Sequence, residues 1–105
     1  MSKSIFHRRK EYTFFWCPGC KTVHMVDQKW KVDYEMQTIA PSVRVSTPLP
    51  KKTEICHSFV RSGKIQYLSD STHELAGKTV VLPEFEMDEE TGTFERPKEE
   101  KENDL

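Results

Sequence analysis

Three cysteines constrain this chain more than any other feature of its sequence. Cys17 and Cys20 form the motif CPGC, and Cys56 opens the motif CHSF 36 positions after Cys20. An odd number of cysteines does not suit a secreted disulfide framework, which usually has an even number. In a reducing compartment a C-x-x-C motif is more often a metal site or a redox site than a structural disulfide.

The composition predicts one small domain with a thin core. The chain has 105 residues, of which 35% are hydrophobic and 31% are charged. Domains of this size often need a disulfide or a metal to stabilise them. No stretch approaches the about 20 apolar residues of a membrane helix, and no apolar segment of a secretion signal follows the basic N-terminus. We therefore expect a cytoplasmic protein with no membrane partner.

Apolar and polar residues alternate along most of the chain with the period of two that is typical of β-strands. The alternation predicts strands in six short segments, 12–16, 22–26, 42–46, 54–60, 64–68 and 79–82. Only DSTHELAG, residues 70–77, has a helical signal, since Asp70 or Ser71 can cap one turn and Gly77 can end it. The fold class predicted is therefore mostly β, with short antiparallel strands and one short helical turn.

Charge divides the chain into a basic body and an acidic end. Residues 1–83 carry 13 Lys and Arg against 7 Asp and Glu, and residues 84–105 carry 3 against 10, so a net charge of +6 is followed by one of −7. The acidic segment has too few apolar residues to offset the entropy lost on ordering. We predict a basic flexible arm over 1–11, a metal-stapled β domain over 12–83 and a disordered acidic tail over 84–105.

The pair Ser62-Gly63 is a two-residue turn signal that predicts a β-hairpin between the segments on either side. Alternate residues of a strand point to opposite faces of a sheet. Cys56 and His57 are therefore expected to point in opposite directions although they are neighbours in sequence. Both cannot easily bind one ion unless the strand ends or bulges there.

The two thiols of CPGC can face one ion because two residues separate them, with Pro fixing φ and Gly permitting a positive φ in the turn. Zinc binds four ligands tetrahedrally and favours thiolates, so we predict a Zn²⁺ site with Cys17, Cys20 and Cys56 as ligands. The alternative for Cys56 is a buried, inert core residue. For CPGC the alternative is a thioredoxin-type redox pair, which is less favoured because the segment after it is predicted to be a strand.

Three histidines are candidates for the fourth metal ligand. We favour His73, which lies on the turn that folds back over the Cys56 end of the hairpin. His57 comes second because it is expected to lie on the face of the strand opposite to Cys56, and His24 comes third. Asp70 lies diagonal to His57 in the predicted register. It is expected to hold a histidine N–H beside the metal, to take part in proton transfer, or to cap the turn.

Taken together, these motifs resemble a family of small phage and prophage proteins that carry a domain of unknown function. The matching features are CPGC, a nearby histidine, a tryptophan, T-x-x-PS, CH-S-F, G-x-I and D-x-T-H-x-L-A-G, in this order within residues 13–82. Relatives often have Cys where this chain has Ser71. The resemblance implies a metal-binding body and no established reaction. The label "ammonia monooxygenase" of some relatives does not fit a sequence without a membrane span or a histidine-rich copper site.

Two functions from different classes follow from these features. The first is a zinc-ribbon-like interaction module, a monomer with a structural zinc that binds a host or phage protein or a nucleic acid. The second is a zinc-dependent hydrolase with three Cys ligands, an open position for water, and His and Asp as acid–base groups. We favour the first because a metal with four protein ligands is a closed, structural site. The acidic tail is expected to be a solubilising extension, and the alternative is a flexible segment that masks the basic body or mimics the charge of a nucleic acid.

Overall fold

The computed structural model describes residues 2–97; residue 1 and residues 98–105 lie outside the described part. Residues 2–97 form eleven β-strands and no helix. The strands are β1 (Ser2–Ser4), β2 (Phe6–Arg9), β3 (Tyr12–Cys17), β4 (Thr22–Val26), β5 (Lys31–Asp33), β6 (Thr38–Pro48), β7 (Thr53–Arg61), β8 (Lys64–Tyr67), β9 (Thr79–Val81), β10 (Phe85–Met87) and β11 (Phe94–Glu95). Every pairing between them is antiparallel, which confirms the predicted fold class.

The described part of the chain divides into two compact units, of which the first comprises residues 2–29 and 82–97. It contains two three-stranded sheets with the strand orders β1-β10-β11 and β2-β3-β4. β3 is buried on both faces, with Phe15 on one face and Trp16 on the other. Trp16 forms a core cluster with Phe85 and Met87. The aromatic run YTFFW therefore forms the central strand of the sheet β2-β3-β4.

Both ends of the chain contribute more structure than the charge pattern predicts. Phe6 and His7 of the predicted flexible arm are buried in β2. The Nε2–H of His7 donates to the carbonyl oxygen of Phe85 at 2.7 Å. In β10, the buried side chains of Phe85 and Met87 alternate with Glu86, which is only partly buried. Two apolar residues at alternate positions thus anchor a strand within an otherwise acidic segment.

The structure therefore differs from the predicted flexible arm over 1–11 and from the predicted disordered tail over 84–105. The compositional argument averages over the whole segment, whereas strand formation depends on which positions are apolar. The remainder of the predicted tail, residues 98–105, lies outside the described residues.

The second unit comprises residues 30–81 and contains one five-stranded sheet in the order β5-β6-β7-β8-β9. The turn between β7 and β8 is the predicted one, with positive φ at both Ser62 (51°) and Gly63 (75°). Such a turn matches the twist of the two strands that it joins. Arg61 pairs with Lys64 beside it, as the predicted register requires.

Cys56 and His57 lie on opposite faces of β7, as the alternation predicts. Cys56, Ser58 and Val60 are buried, whereas His57 and Phe59 are partly exposed. The sheet of the second unit therefore has one buried face and one face on which polar side chains meet solvent. His57 belongs to the exposed face.

Residues 70–77, for which one helical turn is predicted, contain no helix: one turn ends at residue 70 and another spans residues 74–77. The N–H of Thr72 donates to the carbonyl oxygen of Ile55 on β7 at 2.8 Å, and the N–H of Ala76 donates to the carbonyl oxygen of His73 at 3.2 Å. The N–H of Thr72 thus ties this segment to β7, and the later bond closes a single turn around residues 73–76 rather than a helix. No helix in the described part of the chain is long and apolar enough to cross a bilayer.

Candidate functional site

The CPGC motif forms the turn between β3 and β4. Cys17 is the last residue of β3 and is buried, and its carbonyl oxygen accepts a hydrogen bond from the N–H of Lys21 at 2.7 Å. The N–H of Cys20 points at the sulfur of Cys17, 3.4 Å away. The positive φ that closes the turn (56°) belongs to Lys21. In this respect the structure differs from the sequence argument, which assigned the positive φ to Gly19.

His24 lies on the same face of the β3–β4 hairpin as Cys17. It pairs with Phe15, two residues before Cys17, and residues two apart share a face. The His24 side chain is buried, and its Nε2 has no hydrogen-bond partner in the part of the chain that the structure describes. A buried imidazole nitrogen without a partner is costly, and a metal ion would satisfy it.

Four side chains with metal-binding atoms lie together in the structure. The ligand atoms of Cys17, Cys20, His24 and Cys56 all lie within 4.8 Å of one another. Three thiolates and one imidazole are a donor set typical of structural zinc sites and of zinc-ribbon-like folds. The predicted convergence of the three cysteines is therefore observed, and these residues fit a metal ion.

His73, the favoured fourth ligand, lies outside this group. Its Nδ1 accepts a hydrogen bond from the N–H of Leu75 at 3.2 Å, and its ring stands edge-on to Tyr67 with the centroids 4.4 Å apart. His24, which the sequence argument ranked third, takes its place. The register of the β3–β4 hairpin is the signal that identifies His24, since it puts residues 17 and 24 on one face.

A second group of polar side chains lies on the exposed face of the five-stranded sheet. The Nε2 of His57 is 3.1 Å from the Oγ of Ser42, and the Nδ1 of His57 is 3.1 Å and 3.2 Å from the two carboxylate oxygens of Asp70. With the proton on Nδ1, the imidazole donates to Asp70 and accepts from the hydroxyl of Ser42. Ser42, His57 and Asp70 are thus joined in a continuous hydrogen-bonded chain.

The backbone around His57 is held by the turn that follows β8. The hydroxyl of Ser71 accepts from the N–H of His57 at 3.0 Å and donates to its carbonyl oxygen at 3.1 Å. The N–H of Leu68 donates to the same carbonyl oxygen at 2.8 Å. Since Asp70 lies between these two anchoring residues, the same turn positions its carboxylate beside the ring of His57.

Ser42 is held from the other side of β6. Its carbonyl oxygen accepts from the indole Nε1–H of Trp30 at 3.1 Å. The pairing of β6 with β7 shifts between Ile39 and Val43, so Ser42 lies in the irregular part of the strand. The side chains of His57 and Asp70 are 22% and 51% exposed, so a substrate can reach the group from solvent.

The sequence argument anticipated the pair of His57 and Asp70 and its use in proton transfer, but it missed Ser42. That residue begins the predicted strand 42–46 and ends the motif T-x-x-PS, to which the sequence argument gave no chemical role. A lone serine in a strand carries no local signal of reactivity. Only the pairing of β6 with β7 brings its hydroxyl to the histidine.

A serine hydroxyl, an imidazole and a carboxylate hydrogen-bonded in this order are the constellation of serine hydrolases, whatever the fold that carries it. The chain therefore combines a serine-hydrolase constellation with a candidate metal centre in a small β protein. The model of one protein family, described as the bacterial ubiquitination-like system serine protease (BubE), matches residues 1–68. The chain belongs to this family.

The matched segment includes Ser42 and His57 and ends just before Asp70. The uncharacterised small family indicated by the sequence motifs is compatible with this match, and its phage link stays a prediction. Comparison with the curated proteins and comparison with the solved structures each gave no match.

Proposed function

We propose that this chain is a serine peptidase in which Ser42 is the nucleophile, His57 the general base and Asp70 the residue that orients His57. The observation that carries the proposal is the continuous chain of hydrogen bonds from Ser42 through both ring nitrogens of His57 to Asp70. The family to which the chain belongs is named for a serine protease, which supports peptide-bond hydrolysis as the reaction. A protein of a ubiquitination-like system is accordingly the proposed source of the substrate.

Each group has one task in the proposed reaction. The Oγ of Ser42 attacks the scissile carbonyl carbon while the Nε2 of His57 takes its proton, and the same nitrogen then gives that proton to the leaving amine. Water next attacks the acyl-enzyme with His57 as base again, which releases the acid and restores Ser42. Asp70 keeps the ring in the tautomer that has a free Nε2 and stabilises the imidazolium that forms.

A fluorophosphonate probe tests the nucleophile directly, because it labels only an activated serine. The wild-type chain is expected to take up one label, and peptide mapping should find it on Ser42. Ser42→Ala should abolish labelling, whereas Ser69→Ala, which removes an exposed serine from the same unit, should not. Labelling at another residue, or no labelling of a folded wild-type chain, would rule out the proposed nucleophile.

For the metal centre we propose Zn²⁺, held by Cys17, Cys20, His24 and Cys56, with a structural role. A bound zinc would supply folding free energy that a thin core lacks. Because Cys56 and His57 are neighbours on β7 and face opposite ways, holding the Cys56 sulfur would also fix the strand segment that presents the base. The bond would leave the imidazole of His57 free for Ser42 and Asp70.

Metal analysis of matched variants tests this ligand set. The wild-type chain is expected to hold one zinc, and Cys17→Ser and His24→Ala should lose most of it. His73→Ala is the control, because its ring nitrogens lie outside the group of four. If His73→Ala loses the metal and His24→Ala retains it, the proposed set is wrong and the original choice of His73 is restored.

A further inference from the structure

Among the strands of residues 2–97, none lies along the outer edge of β6 in the segment that follows the candidate nucleophile. β5 pairs only with residues 38–40 of β6, whereas β7 pairs with β6 as far as Pro48. Within residues 2–97, no strand pairs with the outer edge of β6 from Ser42 onward. An unpaired strand edge presents a row of backbone N–H and C=O groups to which another chain can bond.

The hydrogen bonds of β7 show which residues of β6 present these groups. Arg44 is directly opposite His57, whose N–H and C=O both bond to the turn after β8, on the side away from β6. The two residues therefore form a non-hydrogen-bonded pair, in which the backbone groups of both point outward. The N–H and C=O of Arg44 consequently point to the outer edge.

The same argument applies one step further along the strand. Ser46 is opposite Ile55. The N–H and C=O of Ile55 both bond to Thr72, on the side of β7 away from β6. Ser46 therefore also directs its backbone to the outer edge. The carbonyl oxygen of Ser42 accepts a hydrogen bond from Trp30, so it also points to the outer edge of β6. This agrees with the two-residue period of a strand, since Ser42 is two positions before Arg44.

The side chain of Arg44 adds a charge to this edge. Because Arg44 is directly opposite His57, its side chain is on the face that carries the Ser–His–Asp group. It is exposed, and it donates to the hydroxyl of Ser46 at 3.0 Å. No carboxylate forms an ion pair with Arg44 in the part of the chain that the structure describes. Two further lysines, Lys51 and Lys52, follow in the turn after β6.

We propose that the outer edge of β6 at Arg44 and Ser46 binds the substrate as an added β-strand, and that the guanidinium of Arg44 binds a carboxylate of that substrate. This inference rests on the proposed peptidase function. An added strand along this edge runs past the Oγ of Ser42, so its scissile bond lies next to the nucleophile. Arg44 is two positions after Ser42, and each residue of a strand spans about 3.3 Å. The carboxylate that binds Arg44 is therefore expected within about two residues of the scissile bond.

The substrate is therefore an extended polypeptide with a negative charge close to the cleaved bond. An acidic side chain and the carboxylate of a chain terminus have the same chemistry, and a guanidinium binds both through two parallel hydrogen bonds. Strand addition supplies affinity through the main chain and leaves selectivity to individual side chains. Arg44 is thus assigned as the residue that determines specificity.

Binding to the Ser42→Ala chain tests this inference without requiring cleavage. Two pools of heptapeptides are compared, one with Glu and the other with Gln at a single position. Each pool is prepared with a free C-terminal carboxylate and with a C-terminal amide. The chain is expected to prefer a carboxylate by about 10- to 100-fold, as for a hydrogen bond between charged groups. Loss of the preference with Gln assigns it to the side chain, and loss on amidation assigns it to the terminus.

Arg44→Gln should remove this preference. Arg61→Gln is the matched control, because Arg61 is also exposed and basic but stacks on Phe59, 4.2 Å from the ring centroid. Hydrogen exchange on the Ser42→Ala chain with the preferred pool should protect the amides of Arg44 and Ser46, while the amide of Val45 in the pairing with β7 stays unchanged.

Three results would overturn the inference: equal binding of all pools, a preference that survives Arg44→Gln, or no added protection at Arg44 and Ser46. Fluorophosphonate labelling of the wild-type chain tests the proposed peptidase function separately from these binding measurements. If a fluorophosphonate leaves Ser42 unlabelled while the carboxylate preference depends on Arg44, the chain binds acidic strands without cleaving them.

Discussion

Ser42 and His57 lie on neighbouring antiparallel strands with the hydroxyl oxygen of one 3.1 Å from the Nε2 of the other. The other ring nitrogen of His57, Nδ1, is hydrogen-bonded to Asp70. Since the serine and the histidine are both on strands, their relative position depends on sheet register rather than on a flexible loop. Two of the predictions below concern this arrangement, one concerns the core around Trp16, and one concerns the turn between β10 and β11.

Asp70→Asn is expected to lower the acylation rate of Ser42 by about 10²- to 10⁴-fold. The amide can still hydrogen-bond the ring, but it favours the tautomer whose Nε2 carries the proton and cannot accept one from Ser42. The rate of fluorophosphonate labelling under single-turnover conditions measures this step. Asp33→Asn is the control, because the carboxylate of Asp33 accepts from the N–H of Met36 in a turn. Equal rates for Asp70→Asn and wild type would remove Asp70 from the constellation.

Ser71→Ala is expected to destabilise the chain by about 1–3 kcal/mol, because the N–H of His57 loses its partner. The Ser71 hydroxyl is buried and bonds both backbone groups of His57. The acylation rate should fall as well, since the strand that carries the base loosens. Urea unfolding measures the first effect and probe labelling the second. Ser69→Ala should change neither, and a stable Ser71→Ala chain would show that Ser71 does not hold His57.

Phe85→Ala is expected to cost about 3–5 kcal/mol, the usual range for removing a buried phenylalanine. Phe85 is 1% exposed and packs with Trp16 and Met87. Phe94→Ala serves as the control, because Phe94 is 42% exposed and has less apolar surface to lose. Urea unfolding compares the two variants. Equal stability of Phe85→Ala and wild type would support the original prediction that the segment from residue 84 onward is not part of the fold.

The hydrogen bonds of Asp88 in the turn between β10 and β11 predict a stability that depends on pH. Its carboxylate accepts from the N–H of Glu90 at 2.9 Å and from the N–H of Thr91 at 3.4 Å, and these bonds lower the pKa of Asp88 below its ordinary value of 3.8. A lowered pKa means that the stabilisation is present above the unfolded-state value and is lost as pH falls through the folded-state value.

The unfolding free energy of wild type relative to Asp88→Asn should therefore be largest near neutral pH and shrink below about pH 4. Urea unfolding over a range of pH gives this difference. A difference that is the same at neutral and acidic pH would show that the charge on Asp88 does not stabilise the turn.

Much of the local structure follows from the sequence because it depends on patterns of two to four residues. The alternation around Cys56 and His57 defines their opposite faces, and Ser62-Gly63 defines the register of β7 and β8. The spacing of CPGC likewise places two thiols in one turn. These features need no knowledge of the remainder of the chain, since the two-residue period of a strand and the φ preferences of turn residues are local properties.

Three features were decided only by tertiary structure. Ser42 meets His57 because β6 pairs with β7 after a register shift at residues 39–43, which no local pattern encodes. His24 rather than His73 joins the cysteines because of how β3 pairs with β4. Phe85 is buried because Trp16, 69 positions earlier, offers a surface to cover. In each case the two residues are far apart in the sequence, so no local pattern shows that they will be in contact. The contact forms only when the strands pair and the hydrophobic core is buried.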